Sequence, residues 1–328
     1  MGHAIFAGTK ASDWMSGDCG ASDVATIVVI GATGFIGEHL LNALAERNNI
    51  KIRVLVHRNK AKSHANIKFI EGDLLKPDSL DVLLSENCTV INLAYLARDN
   101  LEAMTNLAKA CAKNQVKRLI HCSTAVVAGR VSSNLVTESI HCNPVSEYEK
   151  TKMHMEEILF DAAIGKFEIS ILRPTAVFGS GGKNLLKLVN ELMTVNQWVS
   201  YVRSCLFNHR SMNLVCVENV VAALVFLLDA EKIDREIFII SDDDSPINNY
   251  RDVENRLLAK FGKSYCIPII FVPEFILVVL LRLTGKSNIN PSIKYSDQKL
   301  IALGFKKPQN LKAGIDSFAE WCKDSCTK

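Results

Sequence analysis

A short β-branched segment runs directly into three glycines spaced three residues apart, and this feature constrains the fold more than any other. Residues 26–30 read Thr-Ile-Val-Val-Ile, and the segment from Gly31 to Gly37 follows them. A continuous apolar run of this length is typical of a strand buried on both faces of a parallel sheet. Leucines with helical spacing over 38–47 then predict a helix. Strand, glycines and helix in this order predict a dinucleotide-binding turn.

Each glycine of this turn has its own physical reason. Gly31 allows a tight turn, Gly34 lets backbone N–H groups approach a pyrophosphate, and Gly37 lets the helix pack closely on the strand. The N-terminus of the helix then faces the anion. The residues predicted to bind the cofactor here are Gly31, Thr33, Gly34, Phe35, Ile36 and Gly37.

Apolar strands and amphipathic helices alternate as far as residue 240. Further strands are predicted over 51–56, 67–70, 89–93, 117–123, 168–172 and 236–240, and helices over 79–84, 101–113, 147–161 and 218–228. This alternation predicts an α/β fold, a Rossmann-type doubly wound parallel sheet with right-handed crossovers.

The alternation also predicts how the chain divides. Residues 24–180 with 211–240 are expected to form the cofactor-binding domain, and 181–210 with 241–328 a smaller mixed substrate lobe. Residues 1–23 hold no long apolar run, so we expect a flexible extension rather than a secretory signal.

Composition limits the function. The chain is 48% hydrophobic, and its net charge of +3 is too small to indicate a nucleic-acid surface. The ten cysteines form no Cys-x-x-Cys pair. We therefore expect no metal site and a reducing, cytoplasmic location, with buried free thiols. The thiols expected to be buried are Cys88, Cys111, Cys122 and Cys216.

The most apolar stretch, residues 267–283, needs a separate prediction. Pro268, Pro273 and Glu274 interrupt it and Arg282 lies near its end, whereas a transmembrane helix needs about 20 unbroken apolar residues. The pattern favours a buried helix that begins near Pro273, with peripheral membrane contact as the alternative.

A second motif points to catalysis. Tyr148 and Lys152 lie four residues apart in a predicted helix and therefore share a face. Tyrosine is a poor base because its free pKa is about 10. An adjacent ammonium lowers that pKa, so Tyr148 is predicted to exchange a proton with a substrate hydroxyl.

The glycine spacing and the Tyr-x-x-x-Lys motif resemble the extended short-chain dehydrogenase/reductase family, over residues 26 to about 240. The resemblance implies that Thr124, five residues before Gly129, hydrogen-bonds the substrate oxygen, with Ser123 as the alternative. It implies that Lys152 also holds the nicotinamide ribose. Further cofactor contacts implied by the family are Asp73, Leu74, Leu93, Ala94, Asn100, Pro174 and Val177.

The end of the second strand bears on the choice between NAD and NADP. NAD enzymes place an acid there for the ribose 2′-hydroxyl, but Val56 occupies the position here. His57 and Arg58 follow, and an arginine suits a 2′-phosphate. The sequence favours NADP, with NAD as the alternative.

The resemblance also limits the reaction. Family dehydratases carry Asp-Glu after the catalytic threonine, whereas Ala125 and Val126 stand here and cannot transfer a proton. We therefore expect a 4-epimerase or 4-ketoreductase of a nucleotide sugar in polysaccharide biosynthesis, with Arg203 or Arg210 holding the diphosphate. The alternatives are a hydroxysteroid or lipid-alcohol dehydrogenase and a non-catalytic NADP-binding regulatory module. Family members often pair through two helices, which here implies a homodimer through 101–113 and 147–161.

Overall fold

The structure is a computed structural model of the chain. The structure describes residues 25–47, 49–57, 66–265, 267–268, 270, 272–283 and 289–326. The predicted N-terminal extension and Arg58 lie outside these ranges.

A parallel sheet of seven strands forms the centre of the molecule, as predicted. In chain order the strands are β1 (Ala25–Ile30), β2 (Ile50–Val56), β3 (Ile67–Glu71), β4 (Thr89–Asn92), β5 (Arg118–Cys122), β6 (Leu135–Val136), β7 (Glu168–Pro174), β8 (Ala176–Phe178), β9 (Leu214–Cys216), β10 (Glu236–Ile240) and β11 (Lys294–Tyr295). The sheet order is β10-β7-β5-β4-β1-β2-β3. Strand order reverses beside β1, and the crevice of a doubly wound sheet lies at such a point.

Helices cover both faces of this sheet. In chain order they are α1 (Phe35–Ala45), α2 (Pro77–Leu83), α3 (Asn100–Lys113), α4 (Glu147–Ala163), α5 (Asn184–Thr194), α6 (Gln197–Phe207), α7 (Val217–Asp229), α8 (Tyr250–Lys260), α9 (Glu274–Leu283), α10 (Gln298–Ala302) and α11 (Leu311–Cys326). Apolar side chains of α1 and α7 pack on one face, and those of α2, α3 and α4 pack on the other. The four cysteines predicted to be buried are buried free thiols.

A third apolar core lies outside the main sheet. It joins α5, α8 and α11 with the small parallel pair β8–β9, and Phe178 and Phe318 stack edge to face within it. Lys307 fixes the C-terminal part to the main sheet: its Nζ lies 2.7 Å from an oxygen of Asp244, 2.9 Å from Asp297 and 3.5 Å from Asp242. These contacts place the C-terminal helices beside the carboxyl edge of the strands.

The prediction of a buried helix near Pro273 is wrong in one respect. The helix α9 begins at Glu274, but Leu277 and Leu281 are its only residues classed as buried. Most of its other apolar side chains are exposed, Phe275 and Leu283 at 67% and 78%. Apolar sequence alone could not distinguish a covered helix from one that leaves an apolar face uncovered. Among the described helices, none is both long and apolar enough to cross a membrane.

Candidate active site

The glycine turn follows β1 directly and is tightly packed. Gly31 has a φ of +82°, and a Cβ there would lie 2.8 Å from the backbone nitrogen of Ala94. A Cβ on Gly37 would lie 2.4 Å from the carbonyl oxygen of Gly31. Gly34 occupies the N-cap position of α1 and has no side chain, so no capping side chain accepts from the first N–H groups of the helix. Backbone in this arrangement suits a pyrophosphate.

The other predicted residues of the turn surround this cradle. Thr33 and Gly34 are exposed, and Phe35 and Ile36 are half-buried. A glycine-rich loop after β8 covers Phe35, because a Cβ on Gly182 would lie 2.8 Å from its ring. The ring of His39 also contacts the carbonyl oxygen of Ser180 at 2.9 Å. Sequence reasoning missed this loop, although its cluster of glycines was a usable signal.

The end of β4 lies against the glycine turn. Leu93 donates its backbone N–H to the carbonyl of Ile30 at 2.9 Å, and Ala94 is buried next to Gly31. Asn100 holds the following loop, since its side-chain amide makes two 2.8 Å hydrogen bonds with the backbone of Leu96. Asn100 therefore positions the strand end, and both groups of its amide are already engaged.

The remaining cofactor residues predicted from the family lie at the same edge. Pro174 ends β7, Val177 lies in β8, and both are buried. Leu74 is buried, and Asp73 accepts a hydrogen bond from the backbone of Leu75 at 3.0 Å. The second carboxylate oxygen of Asp73 lies 3.6 Å from the His57 ring, which is exposed at the end of β2.

Thr124 lies where β5 ends and begins a short 3-10 helix, Ala125–Ala128. Its hydroxyl accepts a hydrogen bond from the backbone of Val126. Gly129 follows at φ +64°, and a Cβ there would lie 1.9 Å from the carbonyl oxygen of Asn143. This close approach fixes Asn143, which lies three residues before the N-cap of α4, next to the segment that begins at Thr124.

A capping box fixes the start of α4. The Ser146 hydroxyl accepts from the Glu149 backbone, and the Glu149 carboxylate accepts from the Ser146 backbone. Such reciprocal bonds satisfy two helix-end donors and set the helix register. Tyr148 and Lys152, one turn apart, are thereby held on the side of α4 that meets β5. The Ser-x-x-Glu pattern that predicts this capping box is visible in the sequence.

The structure brings Thr124, Tyr148 and Lys152 together. Burial raises the pKa of the Tyr148 phenol, and the nearby Thr124 hydroxyl opposes this shift without cancelling it. Lys152 Nζ lies 3.4 Å from the carbonyl oxygen of Cys122, and burial lowers the pKa of Lys152. The expectation that Lys152 lowers the pKa of Tyr148 is therefore not met in this arrangement, because the ammonium is directed at Cys122.

Tyr95 is a site residue that sequence reasoning missed. Its ring centroid lies 5.1 Å from that of Tyr148 and 5.0 Å from Lys152 Nζ. An ammonium over an aromatic face is attracted by the ring quadrupole. Tyr95 thus contacts both catalytic candidates, and its place directly after the strand-four motif was the available signal.

Two buried polar groups lie beneath this cluster. Ser123 is 5% exposed, and its hydroxyl has no hydrogen-bond partner among the described residues. His121 is fully buried, contacts Asn92 at 3.1 Å, and has its pKa lowered by burial and by the Lys152 charge. His121 is thus a neutral core residue.

The two candidate diphosphate arginines differ. Arg203 forms an ion pair with Glu191. Arg210 stacks over the ring of Phe207 at 5.3 Å, and burial lowers its pKa. Within the described ranges its guanidinium has no carboxylate partner, and neither arginine contacts the Tyr148 cluster. Of these two arginines, only Arg203 is already paired with a carboxylate among the described residues.

The sequence is similar to one protein family and to named relatives within it. Residues 27–241 match the family described as the NAD dependent epimerase/dehydratase family. A UDP-glucose 4-epimerase of Vibrio cholerae is 27% identical, covering 90% of this chain and 94% of its own length. An N-acetyl-alpha-D-glucosaminyl-diphospho-ditrans,octacis-undecaprenol 4-epimerase of Escherichia coli O157:H7 is 26% identical, with 88% and 93% covered.

Solved structures share the fold. The UDP-glucuronic acid 4-epimerase of Bacillus cereus, in complex with NAD, superposes with a TM-score of 0.71 at 20% identity and covers 91% of this chain and 97% of its own. The Bordetella bronchiseptica enzyme WbmH, in complex with NAD+, gives 0.70 at 18% identity, with 92% and 99% covered.

Proposed function

The chain belongs to the NAD dependent epimerase/dehydratase family, a family of enzymes, and within it we propose that this protein is a 4-epimerase of a sugar joined to a diphosphate. The cluster of Thr124, Tyr148 and Lys152 beside the glycine turn carries this proposal. Two relatives matched over most of their length are named as 4-epimerases of such sugars.

In this proposal each residue has one task. Tyr148 Oη takes the proton of the sugar 4-hydroxyl and returns it, and Thr124 Oγ1 hydrogen-bonds the same oxygen. For Tyr148 to ionise near neutral pH, we expect the Lys152 ammonium to turn from the Cys122 carbonyl towards the phenol. When bound, a nicotinamide cofactor supplies the oxidation and the matching reduction at the sugar carbon.

The residues after Thr124 support epimerisation over dehydration. Ala125 is 2% exposed, and Val126 is an exposed apolar side chain. Neither can act as the acid or base that elimination of water requires. A 4-ketoreductase would use the same three polar residues, so only the fate of the cofactor separates it from an epimerase.

The diphosphate of the substrate is assigned to Arg210. A guanidinium binds phosphate oxygens in a fork geometry, and Arg203 already pairs with Glu191. The carrier of the diphosphate can be a nucleotide, as in the name of the Vibrio relative, or a polyprenol, as in that of the Escherichia relative. Either product would serve as a sugar donor in polysaccharide assembly.

We propose NAD as the resident cofactor, although sequence alone favoured NADP. The His57 ring lies 3.6 Å from the Asp73 carboxylate. The negative charge of this carboxylate would repel a 2′-phosphate bound beside His57. Arg58, the other residue of the NADP prediction, lies outside the described ranges. Titration with both dinucleotides checks this. Tighter binding of NADP, weakened by Arg58→Ala, would reverse the assignment.

The function is tested on the full chain with UDP-glucose, UDP-N-acetylglucosamine and undecaprenyl-diphosphate-N-acetylglucosamine. We expect the 4-epimer of at least one to form, detected by NMR, without net consumption of added cofactor. Tyr148→Phe should lower the rate by about 10²- to 10⁴-fold, whereas Tyr201→Phe, which loses a hydrogen bond to Pro268, should not. Stoichiometric cofactor consumption would identify a ketoreductase. Turnover of a hydroxysteroid alone, or of nothing, would refute the proposal.

A further inference from the structure

The helix α9 leaves a broad apolar surface uncovered by the described residues. Apart from Glu274 and Arg282, every residue of the helix is apolar. The side chains that face outward are between 38% and 78% exposed, and they are Phe275, Ile276, Val279, Leu280 and Leu283. A helix that is apolar on all sides belongs in a covered environment.

The helix α6 extends this surface. Trp198, Val199 and Val202 lie on one side of α6 and are 51% to 63% exposed. The segment leading to α9 packs against α6, since Tyr201 Oη donates to the carbonyl of Pro268 at 2.8 Å. We name these exposed residues of α6 and α9 the α6–α9 face. With Val195, Ile267 and Ile270 it holds more than half of the exposed large hydrophobic side chains of the described residues. A patch of this kind marks an interaction site.

The charge around the face favours an anionic partner. Residues 195–210 and 261–294, which contain the face, hold one acid, Glu274, in a chain whose bases and acids are nearly balanced at 38 and 35. The bases of the two segments are Arg203, which already pairs with Glu191, and Arg210, Lys263, Arg282, Lys286 and Lys294. Apolar side chains with an exposed tryptophan and surrounding bases suit anionic lipid headgroups. A second copy of the same face would bring like charges together.

The face adjoins the residue assigned to the diphosphate. The helix α6 ends at Phe207, whose ring stacks under Arg210. The start of α9 is held by a 2.8 Å hydrogen bond from Ser292 to Glu274, and Pro291 accepts from the backbone of Ser211 at 2.7 Å. The end of α6 and the segment that follows α9 therefore both lie next to Arg210.

We propose that the α6–α9 face docks on the surface of an anionic lipid bilayer. Binding of the face to a bilayer does not depend on the proposed reaction. Its use rests on the proposed function, because a docked enzyme would present Arg210 to a sugar diphosphate whose carrier is embedded in the same membrane.

Flotation of the full chain with vesicles tests the docking. We expect binding to vesicles of phosphatidylglycerol and phosphatidylethanolamine, and weaker binding to phosphatidylcholine alone. The double variant Phe275→Asp with Val279→Asp should lower partition into the anionic vesicles by about tenfold or more, since it removes apolar side chains and adds like charge. The matched control is Val82→Asp with Ile164→Asp, because these side chains are 68% and 63% exposed elsewhere on the chain. It should bind as the wild type does.

Two results would overturn the proposal. One is equal vesicle binding by both double variants. The other is a wild-type dimer in sedimentation that the Phe275→Asp, Val279→Asp variant converts to monomers, without vesicle binding by either, which would give the face to a second copy. Turnover of a soluble UDP-sugar keeps the two proposals apart. It should be the same in wild type and both variants, so loss of docking with intact turnover concerns the face alone.

Discussion

Tyr148 on α4 and Phe275 on α9 are both large side chains that remain 43% and 67% exposed, but different forces hold them. Tyr148 lies within the capping box of Ser146 and Glu149, packs edge to face against Tyr95 and lies near Thr124. Phe275 belongs to a helix anchored by two buried leucines. Polar side chains whose positions are fixed by a buried scaffold can perform chemistry. Exposed apolar side chains on a helix with few buried contacts provide non-directional hydrophobic binding instead. We therefore assign the reaction to the sheet edge and carrier contact to the lobe.

Replacing Lys152 should separate the two regions most strongly. Lys152→Met removes the cation available to Tyr148 and should lower kcat by about 10²- to 10³-fold, with vesicle binding unchanged. Steady-state assays of epimer formation measure the first effect and flotation the second. A fall in kcat of less than threefold would mean that Lys152 does not take part in the reaction, and would contradict the assignment of the chemistry to the sheet edge.

The scaffold of the sheet edge can be tested through glycine. Gly129→Ala should lower the free energy of unfolding by about 3 kcal/mol or more. The new Cβ would overlap the Asn143 carbonyl, and the alanine backbone would have to adopt a positive φ. Gly165 has a similar φ of +66° with nothing within 4 Å of its Cβ, so Gly165→Ala should cost only about 1 kcal/mol. Urea unfolding compares them. Equal losses would mean that the close approach contributes nothing.

The two arginines sharpen the assignment within the lobe. Arg210→Met should raise KM for the sugar diphosphate by about 10- to 100-fold with a smaller effect on kcat, since a charged hydrogen bond to phosphate is lost. Arg203→Met removes a partly exposed ion pair with Glu191 and should change KM by less than about threefold. The reverse order of effects would transfer the diphosphate to Arg203.

Sequence could predict the sheet edge better than the lobe for a physical reason. Around the glycine turn, buried β-branched strands and a helix-spaced Tyr-x-x-x-Lys leave few possible arrangements, and the strands and helices form as expected. Tyr95 was missed because its partners come from distant segments. In α9 an apolar sequence predicts that a helix forms, but what covers its outer face is a tertiary property. The direction of Lys152 towards Cys122 likewise depends on packing that no spacing encodes.

Asp243 should report how firmly the lobe is joined to the sheet edge. It accepts 2.8 Å hydrogen bonds from Asn213, Asn248 and Tyr295, and burial raises its pKa from 3.8 to about 6. The folded state then binds this proton more tightly than the unfolded state. Its contribution to the free energy of unfolding is therefore fully present below pH 3.8 and is lost as pH rises through about 6, by about 3 kcal/mol in all, of which about 2 kcal/mol is lost above pH 4.

Asp243→Asn removes this titration, so the difference in unfolding free energy between wild type and variant should fall by about 2 kcal/mol as pH rises from 4 to 7. The Asn also turns an N–H donor towards groups that donate, and that cost is independent of pH. Denaturant titrations at several pH values measure the difference directly. A difference that stays constant with pH would mean that water reaches Asp243 in the folded state. The contact between lobe and sheet would then be looser than the three hydrogen bonds imply.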